Sequence, residues 1–295
     1  MPLRHALLAL AVVAVWGTNF VVITVALQAL PPVFLAVLRF TLALLPAVLF
    51  IARPAVPWRR LAAYGVLIGA GQFGLLYLAL DGWIAPGLAS LVVQTQVFFT
   101  IGLAMVADGE RLCWPQVTAL GLATAGIAVI AAHTGGDTTV TGLLLVLLAA
   151  AAWACGNQVA RSMGRVKMLG VVVWSSAFAV PPLLLLSLLF EGPARIAQGL
   201  AAADAGVWAA VGWQALGNTL FGYAAWGWLL ARHPAAVITP VALLVPVFGI
   251  GASALLLSEA LPAWKLIAAA LVMAGLALNL FGPRAAATVK IEVGS

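Results

Sequence analysis

The chain has 295 residues, of which 65% are hydrophobic and only 7% are charged, with a formal net charge of +6. Its mean hydropathy is +1.16. A water-soluble domain of this length needs a charged surface that so few charged residues cannot cover, so the composition excludes one and indicates the bilayer as solvent. The two cysteines lie in different apolar segments and the three histidines lie near segment ends, so neither a disulfide framework nor a metal site is predicted.

The apolar residues form runs of membrane-spanning length. A helix needs about 20 apolar residues to cross the hydrocarbon core, and charged residues and prolines divide this chain into ten such runs. The sequence therefore predicts an all-α integral membrane protein with ten transmembrane helices, labelled α1 to α10. In chain order the predicted spans are residues 6–27, 33–52, 61–80, 86–106, 114–133, 140–160, 169–190, 205–230, 235–257 and 262–282.

The basic residues predict the orientation of the chain. Lys and Arg accumulate in the cytoplasmic loops of membrane proteins. Here most of them lie at the N-terminus, in the loops after even-numbered helices and in the tail 284–295, whereas the opposite side has only Arg195 and Lys265. Both termini are therefore predicted to be cytoplasmic. The positive net charge is a topology signal, so no nucleic-acid partner is predicted.

An internal repeat divides the chain into two halves. Residues 107–131 match residues 256–280 at a constant offset of 149, which pairs Glu110 with Glu259 and Gly126 with Gly275. A looser match relates the sequence around Trp16 and Asn19 to the sequence around Trp153 and Asn157. The predicted halves are residues 1–135 and 136–283, followed by a cytoplasmic tail, 284–295.

Each predicted half has five helices, so the second half enters the membrane from the opposite side. Inverted repeats of this kind place a binding site near the membrane midplane and expose it alternately to the two faces. The symmetry therefore favours a carrier. Gene duplication without alternating access stays open as the alternative.

Three kinds of motif carry a family resemblance. They are "WGTNF" at residues 16–20, "PPVFLAVLRF" at residues 31–40, and the acidic sequences "DGERL" and "SEALP" between the last two helices of each half. With ten predicted helices, they resemble the EamA family of the drug/metabolite transporter superfamily, and the chain is similar to bacterial exporters of aromatic and other hydrophobic amino acids. The resemblance implies a monomeric transporter of small molecules in the bacterial inner membrane, with no cofactor.

The resemblance also implies breaks in two helices. Pro240 and Pro246 are the predicted helix breaks in α9, and Pro246 matches the family pattern. The repeat position in α4 holds Val97 instead of proline, so α4 is expected to be less bent. We expect α3, α4, α8 and α9 to form the moving walls of the carrier.

Polar residues inside the spans predict the binding site. An unpaired amide in hydrocarbon is costly, so these side chains should face the bundle interior or a wet cavity. Several lie at helical spacing from an aromatic residue, which suits a zwitterion with a ring. The alternative for each amide is a structural bond between helices. The predicted substrate-binding residues are Trp16, Asn19, Arg39, Tyr77, Gln94, Gln96, Trp153, Asn157, Gln158, Gln214, Asn218 and Trp226.

Two of these residues call for a choice. Gln94 and Gln96 cannot point in the same direction on a regular helix, and we expect Gln94 to line the cavity as a polar partner of Tyr77. Arg39 is the one full charge inside a predicted span. It could hold a substrate carboxylate, but we rank snorkelling to the outer interface, or pairing with backbone carbonyls, slightly higher.

Some functions are disfavoured by the sequence. No acidic residue is predicted at the midplane, so neither a proton-coupling carboxylate nor a cationic drug substrate is expected. The sequence "GAGQFG" at residues 69–74 fits a dinucleotide-binding pattern, but it lies inside an apolar span, so we interpret its glycines, with Gly65, as helix-packing contacts. No enzymatic motif is predicted.

Together these patterns predict an inner-membrane carrier that exports small neutral metabolites, aromatic or other bulky amino acids first among them. The alternatives are a broad drug efflux carrier and a membrane scaffold without transport.

Overall fold

The computed structural model describes residues 1–108 and 113–282. This part of the chain is helical, without a β-strand, and it contains nine helices that are long and apolar enough to cross a membrane, as a multi-pass membrane protein requires. They correspond to every predicted span except α8. Their bounds are α1 Leu3–Leu27, α2 Pro32–Leu49, α3 Trp58–Leu80, α4 Pro86–Val106, α5 Trp114–Ala132, α6 Val140–Ser162, α7 Met168–Phe190, α9 Thr239–Leu256 and α10 Ala263–Phe281.

The predicted α8 is helical but is not among these nine. It runs through residues 205–230 as three consecutive segments, Ala205–Gly212, Trp213–Phe221 and Gly222–Leu230. Its buried polar residues Gln214 and Asn218 lower its hydropathy. The ten-span architecture therefore stays a prediction. A short helix, Gly192–Ala202, lies between α7 and α8 and was missed by the sequence analysis.

Acidic side chains hold helix N-termini, where the first N–H groups have no partner within the helix. Glu191 accepts hydrogen bonds from the backbone N–H groups of Val33 at 2.7 Å and Phe34 at 3.0 Å, at the start of α2. Asp204 accepts a hydrogen bond from the N–H of Val207 at 2.9 Å, at the start of α8. These carboxylates therefore serve helix ends, where negative charge is favoured.

A buried ion network joins the two halves at one end of the bundle. Lys265 is 4% exposed, and its Nζ lies 2.8 Å from Asp137 Oδ2 and 3.1 Å from Glu259 Oε1. Glu259 Oε2 in turn accepts a hydrogen bond from the N–H of Gly87 at 2.9 Å, at the start of α4. The Lys265 network, made of Gly87, Asp137, Glu259 and Lys265, therefore ties α4 to the start of α10.

Loops predicted to lie on the same side of the membrane contact each other. The Lys265 network joins segments predicted to be external. On the predicted cytoplasmic side, Arg60 Nη1 donates to the carbonyl of Ser162 at 2.5 Å, and His5 Nδ1 lies 2.7 Å from His233 Nε2. Which side is cytoplasmic stays a prediction. Glu110 and the tail 284–295 lie outside the described residues.

The last helices of the two halves, α5 and α10, pack at repeat-equivalent glycines. A Cβ at Gly126 would lie 2.6 Å from Val272 Cγ2, and a Cβ at Gly275 would lie 2.6 Å from the carbonyl oxygen of Ala119. Higher numbers in one helix meet lower numbers in the other, so α5 and α10 run antiparallel. An inverted repeat requires this opposite direction.

Four of the five non-α segments in the described chain form two pairs that the offset of 149 relates, whereas the 3-10 turn Ala47–Leu49 has no counterpart. Two π-helical segments cover Leu67–Gly74 in α3 and Trp213–Phe221 in α8. Two 3-10 segments cover Val93–Thr95 in α4 and Thr239–Leu243 at the start of α9. These turns lie in the helices predicted to be moving walls.

The missing proline does not make α4 a continuous α-helix. Its 3-10 segment has 3 residues, compared with 5 at the equivalent position of α9. Pro240 lies inside the longer segment, and Pro246 lies in the first turn of the α-helix that follows it. Proline removes a backbone donor and so accompanies the longer break, but α4 is interrupted near Val97 without one.

The glycines of "GAGQFG" are packing contacts, as the sequence analysis expected. A Cβ at Gly65 would collide with the backbone of Ser175, and a Cβ at Gly69 would collide with the side chain of Ala179. Both partners lie in α7. The glycines therefore let α3 and α7 approach closely, as small residues do between helices in membranes.

The α5–α10 contact predicts a difference between two glycines of one helix. Gly126→Val should lower the apparent Tm of the detergent-solubilised protein, because overpacking a tight contact costs about 1–3 kcal/mol. Gly121→Val should leave it nearly unchanged, since a Cβ at Gly121 meets nothing within 4 Å. Thermal unfolding followed by size-exclusion chromatography measures both, and equal shifts would contradict this packing.

The Lys265 network predicts a larger effect than an exposed ion pair. Lys265→Met should destabilise the protein by about 3–5 kcal/mol, because it leaves the 6% exposed Glu259 without its cation. Arg195→Met is the matched control, since Arg195 pairs with Asp81 at 3.5 Å with side-chain exposures of 57% and 35%, and such pairs contribute about 0–1 kcal/mol. Denaturation in the same detergent measures the free energy of unfolding of both variants. A loss for Lys265→Met no larger than that for Arg195→Met would contradict the network.

Candidate functional site

A fully buried arginine lies between the two halves of the bundle. Arg39 is on α2, about 10 Å of helix rise beyond Pro32, and it is 1% exposed. Its Nη1 donates to the Tyr77 hydroxyl at 2.8 Å, its Nη2 to Asn218 Oδ1 at 2.8 Å, and its Nε to Thr219 Oγ1 at 3.2 Å. The guanidinium therefore joins α2 and α3 of the first half to α8 of the second.

The partners of Arg39 are themselves connected. The Tyr77 hydroxyl donates a short hydrogen bond to Gln214 Oε1. The Thr219 hydroxyl donates to the backbone carbonyl of Gln214 at 2.8 Å. We call this group of Arg39, Tyr77, Gln214, Asn218 and Thr219 the Arg39 cluster. No carboxylate contacts Arg39 among the described residues, so neutral groups alone surround the charge.

The π-helical segment of α8 supplies three members of the cluster. Gln214, Asn218 and Thr219 all lie within Trp213–Phe221. In the wider π-helical turn, the Thr219 hydroxyl donates to the carbonyl of the residue five positions before it. In an α-helix, the nearest carbonyl would belong to the residue four positions before it. The irregular segment thus faces several polar groups toward α2, and π-helical turns recur at functional sites.

The two halves use equivalent positions differently. The offset of 149 places Gln214 on Gly65 and Asn218 on Gly69. In the first half these glycines pack α3 tightly against α7. In the second half the amides face α2 and the Arg39 side chain. The repeat therefore supplies the same helix frame twice but the charged site once.

Aromatic rings form the other wall of the site. The Arg39 guanidinium carbon lies 3.8 Å from the centroid of the Phe73 ring, which is a close cation–π contact. A small cavity beside Arg39 has about 10 Å³ of space for a water-sized sphere, which is room for about one water molecule. An amino acid needs more space, so binding one requires the walls to separate. The cavity is lined by Arg39, Phe40, Tyr64, Gly65, Ile68, Phe73, Val172, Ser175, Ala179, Thr219 and Tyr223.

Arg39 does not lie where the preferred interpretation placed it. Snorkelling to the interface is wrong, because the side chain is almost fully buried. Pairing with backbone carbonyls is also wrong, because the described hydrogen bonds all go to side-chain oxygens. Arg39 is long enough to reach α8 from α2, and the polar face of α8 draws it inward. This position was not predictable from one helix alone.

Tyr77 also has other partners than expected. Its hydroxyl contacts Arg39 and Gln214, not Gln94. Gln94 is buried in the 3-10 segment of α4. The repeat pairing of Tyr77 with Trp226, and the need for a polar partner near mid-depth, favoured Gln94, but α8 approaches Tyr77 instead. The expected Tyr77–Gln94 pair is therefore wrong.

Trp16 joins α1 to the cluster. Its indole Nε1 donates to the backbone carbonyl of Asn218 at 3.1 Å. Its ring centroid lies 5.2 Å from that of Trp226 and 5.8 Å from that of Tyr223. Asn19, one turn further along α1, is buried. The residues predicted on α1 and α8 thus do meet.

A second polar group lies between α4 and α6. Asn157 Nδ2 donates to Gln96 Oε1 at 2.9 Å, and Thr100 Oγ1 lies 3.4 Å from the same oxygen. Trp153 packs against the hydrophobic core, and Gln158 is partly exposed. No described hydrogen bond joins this group to the Arg39 cluster. Gln96 and Asn157 therefore bridge two helices, as the structural alternative proposed.

Several residues of the site were missed from the sequence. Thr219, Phe73, Tyr64 and Tyr223 were not among the predicted site residues, yet all contact Arg39 or line its cavity. Thr219 directly follows Asn218, and its hydroxyl was a usable signal. The aromatic residues gave none, because such residues are common in apolar spans.

Some polar atoms of this region lack a partner among the described residues. Gln214 Nε2, a donor, and Asn19 Oδ1, an acceptor, are buried without a hydrogen bond. A guanidinium carries five N–H groups, of which the described contacts engage three. Gln214 Nε2 and two guanidinium N–H groups are therefore donors without an acceptor among the described residues. Such an arrangement suits a carboxylate, which accepts hydrogen bonds through both oxygens.

Comparison with other proteins agrees with this description. Residues 3–132 and residues 140–281 each match the EamA-like transporter family. Over 99% of its length the chain is 41% identical to 100% of a Salmonella typhimurium protein described as a "Probable amino-acid metabolite efflux pump". An Escherichia coli K12 protein with the same description is 39% identical, with 99% of each chain covered.

More distant proteins share the same length and fold. A Streptantibioticus cattleyicolor protein described as a "Probable terminal-alkyne amino-acid exporter" is 29% identical, with 94% of each chain covered. One solved structure superposes with a TM-score of 0.63 at 21% identity, covering 94% of this chain and 95% of the other, which shows a common fold. With both halves matched and long relatives above 30% identity, the chain belongs to the EamA-like transporter family.

Proposed function

We propose that this protein exports amino acids and related metabolites that carry a carboxylate, with aromatic or other bulky side chains preferred. The observation that carries the proposal is the buried Arg39 guanidinium with neutral partners only. The descriptions of the Salmonella and Escherichia relatives as amino-acid metabolite efflux pumps support the same substrate class.

Burying the Arg39 charge is energetically costly. Taking an ion out of water costs several kcal/mol even after the protein relaxes, and an opposite charge or many hydrogen bonds must offset it. Arg39 has hydrogen bonds and the Phe73 ring, but no opposite charge among the described residues. A substrate carboxylate supplies that charge at the moment of binding. Arg39 is therefore a better substrate anchor than a structural element.

Aromatic rings around the cluster favour substrates with an apolar or aromatic side chain. Phe73, Tyr64 and Tyr223 line the cavity beside Arg39. Aromatic surfaces add favourable stacking to area burial for a ring. Because the cavity holds about one water molecule, the substrate enters only when the walls move apart.

The architecture that we propose has ten spans in two inverted halves, residues 1–135 and 136–283, with both termini and the tail 284–295 cytoplasmic. The antiparallel contact of α5 and α10 supports it. The paired π-helical and 3-10 segments support α3, α4, α8 and α9 as the moving walls, with Pro240 and Pro246 at the break in α9. Interrupted helices near a central site are usual in such carriers.

Energy coupling depends on which acidic residues lie within the membrane. The described acidic residues with known contacts, Asp81, Asp137, Glu191, Asp204 and Glu259, hold helix ends or loops. A proton-coupled carrier usually titrates a carboxylate within the membrane. We therefore propose transport down the substrate gradient without a carboxylate-based proton step.

Amino-acid flux tests the proposed function. Purified protein in liposomes should carry one or more of the twenty amino acids, phenylalanine among the fastest. The rate should be the same with and without a pH gradient, because no carboxylate among the described residues lies inside a predicted span to couple transport to protons. Filtration of labelled substrate measures the rates. No flux of any amino acid would contradict the proposal, and flux of lipophilic cations instead would favour a drug efflux carrier.

Substitution of Arg39 separates binding from folding. Arg39→Gln should reduce amino-acid flux per reconstituted molecule tenfold or more, since charge-assisted hydrogen bonds contribute about 1.5–3 kcal/mol. It should leave the apparent Tm unchanged or raise it, because it removes an uncompensated buried charge. Arg39→Lys should keep part of the flux, as it keeps the charge but loses the fork of donors.

The control for Arg39 is Arg59→Gln at the exposed start of α3, which should change neither flux nor the apparent Tm. An Arg39→Gln protein that transports normally, or that loses stability as much as it loses flux, would mean that Arg39 is structural.

A further inference from the structure

A buried amide on α1 is left without a hydrogen bond. The Asn19 side chain is 3% exposed, and its Oδ1 has no partner among the described residues. An unsatisfied buried acceptor is unfavourable and calls for an explanation. The neighbouring Thr18 hydroxyl does not donate to Asn19 Oδ1, because Thr18 Oγ1 donates to the carbonyl of Ala14 at 2.7 Å.

The orientation of α1 places Asn19 toward the interior of the site. Gly17 packs against α9, where a Cβ would lie 2.5 Å from both Phe248 Cβ and the Val245 carbonyl oxygen. Residues two apart on a helix point about 200° away from each other, so Asn19 points away from α9. Trp16, one turn before Asn19, donates to the Asn218 carbonyl. Asn19 therefore lies on the face of α1 that meets α8.

The unpartnered groups on α1 and α8 are complementary. Gln214 Nε2 on α8 is a free donor next to the Tyr77–Arg39 bond. Asn19 Oδ1 on α1 is a free acceptor. A zwitterionic amino acid presents acceptors on its carboxylate and donors on its ammonium. Gln214 Nε2 thus matches the carboxylate end, and Asn19 Oδ1 matches the ammonium end.

We propose that Asn19 binds the free amino group of the substrate, an inference that rests on the proposed function. The carboxylate binds Arg39 and Gln214 Nε2, and the ammonium donates a hydrogen bond to Asn19 Oδ1. Asn19 is therefore a specificity-determining residue that selects α-amino acids over N-acylated or amine-free acids.

Competition between two matched ligands tests this assignment. The assay uses proteoliposomes and the labelled amino acid that the unaltered protein carries fastest. Flux is inhibited by the same unlabelled amino acid or by its N-acetyl derivative, which keeps the carboxylate and side chain but has no ammonium. The measured quantity is the ratio of the two half-inhibitory concentrations.

Asn19→Leu should reduce the preference for the free amino acid about tenfold, because it removes one hydrogen bond to a charged group. Asn19→Asp should increase the preference, since a carboxylate accepts from the ammonium and adds an opposite charge. Thr18→Val on the same helix is the control and should leave the ratio unchanged.

Three outcomes separate the possibilities. No flux in the unaltered protein would remove the proposed function and this inference together. Normal flux with an unchanged ratio in Asn19→Leu would overturn the inference alone and mean that Asn19 is structural or bonds water. If Asn19→Leu does not fold, Asn19→Asp decides, because a preference equal to or lower than that of the unaltered protein overturns the assignment and a higher one supports it.

Discussion

The burial of the Arg39 charge between the two halves is the constraint on which the centre of this protein depends. A cation in a low-dielectric interior needs many well-placed partners. Tyr77 from α3 and Asn218 and Thr219 from α8 supply them. Because these partners come from both halves, any movement that separates the halves also changes the solvation of Arg39. The charge thereby ties α2 and α3 of the first half to α8 of the second.

The frame around this charge is symmetric, but the site is not. Gly126 and Gly275 form equivalent contacts, and the π-helical segments of α3 and α8 overlap under the same offset. Within that frame, Gly65 and Gly69 pack helices where Gln214 and Asn218 bind Arg39. The two halves therefore share a helix frame, and the few inward-facing positions at which they differ make the Arg39 cluster asymmetric.

Polar residues in this bundle have two separable roles. Gln96 and Asn157 satisfy each other across α4 and α6, which is the structural use of amides between membrane helices. Asn19 Oδ1 and Gln214 Nε2 are buried and unsatisfied, which is unfavourable unless a ligand completes them. The two groups differ in whether their amide atoms have hydrogen-bond partners, not in residue type. The sequence could name all four residues but not assign them.

The sequence by itself determined the membrane class, nine of the ten predicted spans, the repeat and many of the inward polar residues, because hydropathy, charge and periodicity are local properties of the chain. The tertiary structure decided where the Arg39 side chain goes, since α2 alone leaves an arginine free to snorkel whereas the polar π-helical face of α8 draws it inward. It likewise decided that Tyr77 bonds Gln214 rather than Gln94. Partners that lie more than a hundred residues apart meet only through helix packing, and packing depends on all the surrounding helices at once.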